Sequence, residues 1–103
     1  MKIVSENEFE EVVKSGITLV DFYATWCGPC RIMANILEDI EDEVGQDVQI
    51  VKVDVDENQS LARKFGVMSI PTLIIFKDGQ VQEKHIGIWQ QEECVETIKS
   101  YIK

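Results

Sequence analysis

The sequence predicts an α/β chain: a central mixed β-sheet with helices on both faces and its elements in the order βαβαβαββα. Three observations carry this reading. Apolar runs that suit strands covered on both sides, at residues 17–23 and 50–55, alternate with stretches whose apolar residues recur at spacings of three and four. Near the end, Lys77-Asp78-Gly79-Gln80 separates two further strand-like runs, and Asp-Gly between such runs is a strong hairpin signal. No apolar run approaches the roughly 20 residues needed to span a bilayer.

The elements follow in order. Ile3 and Val4 make a short first strand, and a helix over about residues 6–15 carries the stripe Phe9, Val12 and Val13 before Gly16 ends it. The run at 17–23 is apolar on both faces apart from Thr18 and Asp21, so it reads as a central strand. A long helix over about 28–44 bears Met33, Ile36, Leu37, Ile40 and Val44, and Gly45 stops it. Residues 50–55 form another buried strand, and a short helix near 60–65 turns Leu61, Ala62 and Phe65 inward. Strands at 71–77 and 81–86 flank the Asp-Gly turn, and a last helix covers about 91–102. The first three strands are then joined by helical crossovers and the last two are antiparallel, which makes the sheet mixed.

Composition bounds the function. The 103 residues suit one domain (1–103) that can bury a core but cannot make two, and 45% hydrophobic residues exclude a disordered chain. The first residues lack the apolar stretch of a signal peptide, so the expected location is the cytoplasm. A net charge of −9 argues against nucleic acid or an anionic membrane as partner. Acidic clusters such as Glu38-Asp39 and Glu41-Asp42-Glu43 read as a solvated helix face. Three cysteines in such a chain point to thiol chemistry more than to a disulfide framework.

That chemistry is concentrated in Trp26-Cys27-Gly28-Pro29-Cys30, which follows a strand and opens a helix. Residues three apart share a helix face, so the two sulfurs can meet. Cys27 sits where unpaired N–H groups and the positive end of the helix dipole favour a thiolate, which makes it the candidate nucleophile. Cys30, one turn deeper, is placed to attack a mixed disulfide on Cys27. Gly28 leaves the approach to sulfur uncrowded, and Pro29 is tolerated in a first helical turn. A structural zinc site needs four ligands, and only Cys94 and His85 remain to complete one, so no metal is expected. A disulfide spanning so short a loop would also be a poor structural staple.

Over nearly its whole length the chain resembles the thioredoxin family. The resemblance rests on Asp21-Phe22-Tyr23-Ala24-Thr25-Trp26-Cys27-Gly28-Pro29-Cys30, on Val51-Lys52-Val53-Asp54-Val55-Asp56, on Ile70-Pro71-Thr72-Leu73 and on Gly87. It implies the thioredoxin fold and a monomeric dithiol carrier that reduces protein disulfides, is recharged by thioredoxin reductase and needs no cofactor beyond its own Cys27–Cys30 disulfide. It also implies roles for single residues. Asp21, costly to bury as a carboxylate, would move protons to and from Cys30. Lys52, which on its own would read as a snorkelling lysine, would bring its ammonium towards Asp21. Pro71 would be cis although most X-Pro bonds are trans. Trp26, Ile70 and Gly87 would wall a shallow apolar groove for a polypeptide substrate.

The chain also departs from the family. Asn35 stands where many thioredoxins carry a helix-kinking proline, so a straighter helix is expected. Trp89 is larger than the residue usual at its place and is either a groove wall or a cap on the last helix. Cys94 falls on the apolar side of that helix and reads as an inert core residue. His85, beside Glu83 and Lys84, reads as facing solvent.

Overall fold

The computed structural model describes residues 1–102. Five strands, β1 (Lys2–Ile3), β2 (Ile17–Tyr23), β3 (Gln49–Asp54), β4 (Thr72–Lys77) and β5 (Gln80–Ile86), form one sheet in the order β1-β3-β2-β4-β5. The helices are α1 (Glu6–Val13), α2 (Gly28–Val44), α3 (Gln59–Lys64) and α4 (Gln91–Lys99). β1 and β2 both run parallel to β3, while β4 pairs antiparallel with β2 and with β5. The element order and the mixed sheet are those expected from the sequence.

Strand alternation divides the core in two, because successive side chains point to opposite faces of a sheet. Leu19, Ile50, Leu73 and Ile75 pack with Met33, Leu37 and Ile40 of α2 and with Cys94, Val95 and Ile98 of α4. Val20, Phe22, Val51, Val53, Ile74 and Phe76 pack on the other face with Phe9 and Val13 of α1 and with Leu61 of α3. Burying each large aliphatic or aromatic side chain contributes about 1.5–3 kcal/mol, so these two layers supply most of the driving force for folding. Phe9 stands edge-on to Phe76, with ring centroids 5.5 Å apart.

Helix ends account for most boundary differences. α1 opens with the Glu8 carboxylate accepting from the Ser5 amide at 3.0 Å and closes at Val13, short of the expected residue 15. Gly16, with φ of 74°, then turns the chain into β2. α2 runs unbroken through Asn35, and Gly45 ends it without a left-handed turn: its φ is −60°, and its amide donates to Glu41. A Cβ at Gly45 would run into the Glu41 carbonyl. α4 stops at Lys99, short of residue 102, and the Lys77 ammonium of β4 takes the Tyr101 carbonyl at 2.9 Å. Asp78 and Gly79 have φ of 50° and 82°, the paired positive values of a tight hairpin. Asp78 also ties this turn to the start of β2, its carboxylate accepting from the Gly16 amide at 2.8 Å while its own amide donates to the Gly16 carbonyl at 2.9 Å.

Candidate active site

β2 ends at Tyr23, and the chain turns once before α2, with the Cys27 amide donating to the Ala24 carbonyl at 3.3 Å. Cys27 is the N-cap of α2, and its sulfur accepts from the Cys30 amide at 3.2 Å. The two cysteines are joined by a disulfide, with their Cα atoms 5.2 Å apart. The N-cap position matters for chemistry. Once the bond is reduced, a thiolate on Cys27 keeps an N–H donor and the positive end of a 17-residue helix beneath it. Apart from its chain neighbours and the backbone of its own helix, a Cβ on Gly28 would meet nothing within 4 Å, so no other element crowds this end of α2.

Ala24, Cys27 and Cys30 form a small buried cluster of their own, with Tyr23, Val55 and Ile70 packed against it. The Ile70–Pro71 bond is cis, and the Ile70 carbonyl oxygen lies 3.9 Å from the Cys27 sulfur. Two hydrogen bonds hold that corner: the Thr72 hydroxyl donates to the Ser69 carbonyl at 2.6 Å, and the Gly87 amide donates to the Pro71 carbonyl at 2.8 Å. Gly87 has φ of 94°, where any side chain would be strained, yet a Cβ there would touch nothing. Glycine is thus required at this place by its backbone angle and not by crowding.

Trp26 is 68% exposed, but its indole N–H donates to the Asp56 carboxylate at 2.7 Å, which fixes the ring beside the cysteines. Met68, 95% exposed, stands next to the Ser69-Ile70-Pro71 corner, and the exposed Ile86 lies opposite Thr72 in the β4–β5 register. Ile32 on α2 is a further exposed apolar side chain. Sequence reading passes over these residues because an exposed apolar residue has no periodic signature of its own.

Asp21 is fully buried on the same face of β2 as Leu19, the face that α2 covers. Burial pushes its carboxyl up to about 7, against a smaller opposing pull from Lys52. Neither carboxylate oxygen has a hydrogen-bond partner. Lys52 is its register neighbour on β3, but the ammonium rests 4.4 Å from the centre of the Tyr23 ring rather than on the carboxylate.

The two departures late in the chain fall into place together. His85 does not face solvent: it is half-buried and stacks flat on Trp89, with centroids 4.6 Å apart and an interplanar angle of 3°. Its Nε2 lies 3.1 Å from the Ile88 carbonyl oxygen. His85 pairs in register with Leu73, which puts it on the covered face although β5 is an outer strand. Trp89 is buried in the same core cluster as Cys94, just before α4, and its amide donates to the Met33 sulfur at 3.2 Å. Trp89, one residue before the N-cap Gln90, thus packs into the core at the start of α4 and is too buried to wall the groove.

Cys94 is completely buried, and its thiol is pushed up to about 12 by burial and by the neighbouring Glu93. In the reduced native protein, iodoacetamide is therefore expected to modify Cys27 promptly and Cys94 only after unfolding, as read by peptide mass spectrometry. Prompt labelling of Cys94 would contradict an inert role. Among the described residues, no group of three or more His, Cys, Asp and Glu side chains is gathered to hold a metal ion, and no helix is long and apolar enough to cross a membrane.

Comparison with known proteins agrees with this geometry. Residues 1–100 match the family model described as Thioredoxin. The chain is 50% identical over 102 residues to a thioredoxin of Listeria monocytogenes, covering 99% of both chains. It is 44% identical over 98 residues to a thioredoxin of Bacillus subtilis, covering 95% of this chain and 94% of that one. Among solved structures, a single-substitution mutant of a thioredoxin from Halobacterium salinarum superposes with a TM-score of 0.90 at 35% identity, covering 99% of this chain and 90% of that one. A thioredoxin of Fasciola hepatica superposes at 0.88 with 33% identity, covering 98% and 99%.

Proposed function

Because the chain belongs to the thioredoxin family and is thus a thiol-disulfide oxidoreductase, we propose that it acts as a single-domain, monomeric cytoplasmic reductant of protein disulfides, working through Cys27 and Cys30. The Cys27 thiolate attacks one sulfur of a substrate disulfide, forming a mixed disulfide and expelling the other substrate sulfur as a thiolate, which takes up a proton. Cys30 then gives its proton to the Asp21 carboxylate and attacks the Cys27 sulfur. The second substrate thiol leaves, and two electrons have passed from the dithiol to the substrate. The Cys27–Cys30 disulfide seen in this structure is the product state. Thioredoxin reductase returns it to the dithiol, and the cycle uses no metal or organic cofactor on this chain.

The observation that carries this reading is the Cys27 sulfur at the N-cap of α2, accepting from the Cys30 amide beside the Ile70–Pro71 corner. Trp26, Gly28, Pro29, Ile70, Pro71 and Gly87 form the contact surface around it. Lys52 acts with Asp21 by placing a positive charge near the carboxylate.

Equilibration with glutathione redox buffers tests the direction of the chemistry. As for thioredoxins in general, whose poise is carried over from the family, the pair is expected to stay largely oxidised in mixtures that fully reduce an oxidase-type dithiol. Ready reduction by glutathione would make the chain an oxidant and overturn the reductant assignment.

A further inference from the structure

Four polar side chains share the α2-covered face at the ends of β2 and β3. Asp21 pairs in register with Lys52, and Tyr23 pairs with Asp54, so Tyr23 and Lys52 are diagonal neighbours on one face. The Lys52 ammonium sits over the Tyr23 ring at 4.4 Å, while both Asp21 oxygens are without a hydrogen-bond partner. The Tyr23 side chain in turn packs against the cluster of Ala24, Cys27 and Cys30. One ring therefore touches both the redox cluster and the cation in register with the buried carboxylate.

We propose that Tyr23 is a positioning residue for the redox reaction: its ring face holds the Lys52 ammonium near Asp21 but off it, and thereby sets how readily that carboxylate takes and gives a proton. The inference rests on the reading of Asp21 as the base for Cys30. Two other places are open to the ammonium. On Asp21 it would form a buried ion pair, whose desolvation is costly and whose carboxylate would be held ionised. In water, which the half-exposed Lys52 can reach, it would be hydrated and would leave the carboxylate unsupported. The ring offers a cation a third place through its π face.

Other groups bear on Asp21 as well. The first turn of α2, the helix over this face, carries Cys30, while β3 presents Asp54 beside Lys52 and β4 opposes Asp21 with the apolar Leu73. Glu8 and Glu57 border the surface hollow that Tyr23 and Asp54 line. In the oxidised protein the two cysteines do not titrate, and Lys52 is the charged group that acts on Asp21.

The test is the titration of the Asp21 carboxyl in the oxidised protein, read from its 13C chemical shift. Tyr23→Leu removes the ring, releases the ammonium to water and is expected to raise the Asp21 midpoint by about one pH unit. Tyr23→Phe keeps the π face and restores the midpoint of the unsubstituted protein. In a Lys52→Met background, Tyr23→Leu should add no further shift, since the interaction it removes is already gone. A midpoint that stays or falls in Tyr23→Leu, a Phe variant that behaves like Leu, or a full further shift in the Lys52→Met background overturns the proposal. Should Tyr23→Leu fail to fold, the unsubstituted protein decides: the Lys52 Hε protons must show an upfield ring-current shift, and its absence rejects the contact. The Asp21 base role is measured separately by the resolution rate of Asp21→Asn, so either idea can fail alone.

Discussion

Cys27→Ser is expected to leave the protein unable to reduce a disulfide, whereas Cys30→Ser is expected to accumulate covalent mixed disulfides with its substrates. Exposure does not decide between the sulfurs, since Cys27 and Cys30 are 4% and 3% exposed in the disulfide state. The helix end does. Cys27 is the N-cap, with a backbone N–H directed at its sulfur, while Cys30 lies inside the first turn and supplies that N–H. Only Cys27 is thus stabilised as the first thiolate, and Cys30 meets a sulfur already bonded to Cys27. Non-reducing electrophoresis and mass spectrometry, after mixing each variant with a disulfide-bonded protein, read the outcome. Trapping by Cys27→Ser in place of Cys30→Ser would reverse the two roles.

The second large effect separates stability from activity at Asp21. In an unfolded chain this carboxyl titrates near its ordinary 3.8, and in the fold near 7. Between those values folding takes up a proton, so stability falls as pH rises, and it levels off above about 7. At about 1.4 kcal/mol per pH unit, the ionised carboxylate costs the oxidised fold about 4 kcal/mol at pH 8. An Asn at this place carries no charge, though its amide is as short of partners as the carboxyl. Asp21→Asn is therefore expected to gain about 2–4 kcal/mol at pH 8 in denaturant unfolding and to gain nothing below about pH 4. The same variant should resolve a preformed Cys27 mixed disulfide about 10²–10⁴-fold more slowly, the usual reach of a positioned general base. Turnover equal to that of the unsubstituted protein, or strong destabilisation at neutral pH, would fault the assignment of Asp21 as buried base.

How much of this can be read from the chain differs by residue. β2 and α2 fall at the expected residues because each carries its own period and its own stop. The apolar Tyr101 and Ile102 extend the expected last helix to residue 102, but their amides donate to carbonyls three residues back, Ile98 and Lys99, so the α-helix gives way to a tighter turn. Asp21 stands out as a carboxylate in an apolar strand. Tyr23 does not, since an aromatic residue is ordinary in a strand and its partner Lys52 is distant in sequence. His85 is the same case: its charged neighbours suggest water, and only the turn through Gly87 brings Trp89 over its ring. The cis bond at Pro71 follows from family resemblance and not from local composition, which favours trans.

The outermost position of β5 bears on how readily another chain can add to the sheet. A strand with a free row of amides and carbonyls invites another chain to add on, and such edges seed aggregation when they are long, flat and apolar. β1, at the opposite edge, is only two residues long and offers little template. β5 is longer, at seven residues, and almost all of it is exposed. Its middle, however, reads Gln82-Glu83-Lys84, and the register between β4 and β5 shifts at Ile75 and Phe76, which bends the ribbon. Lys84 is also occupied, its ammonium donating to the carbonyls of Phe65 and Gly66 at 2.9 and 3.0 Å. An incoming strand would have to pair with a kinked, charged border that is already tied down. The open side of the sheet is in this way guarded by charge and curvature, which offset the exposed apolar side chains of Val81 on β5 and Ile3 on β1.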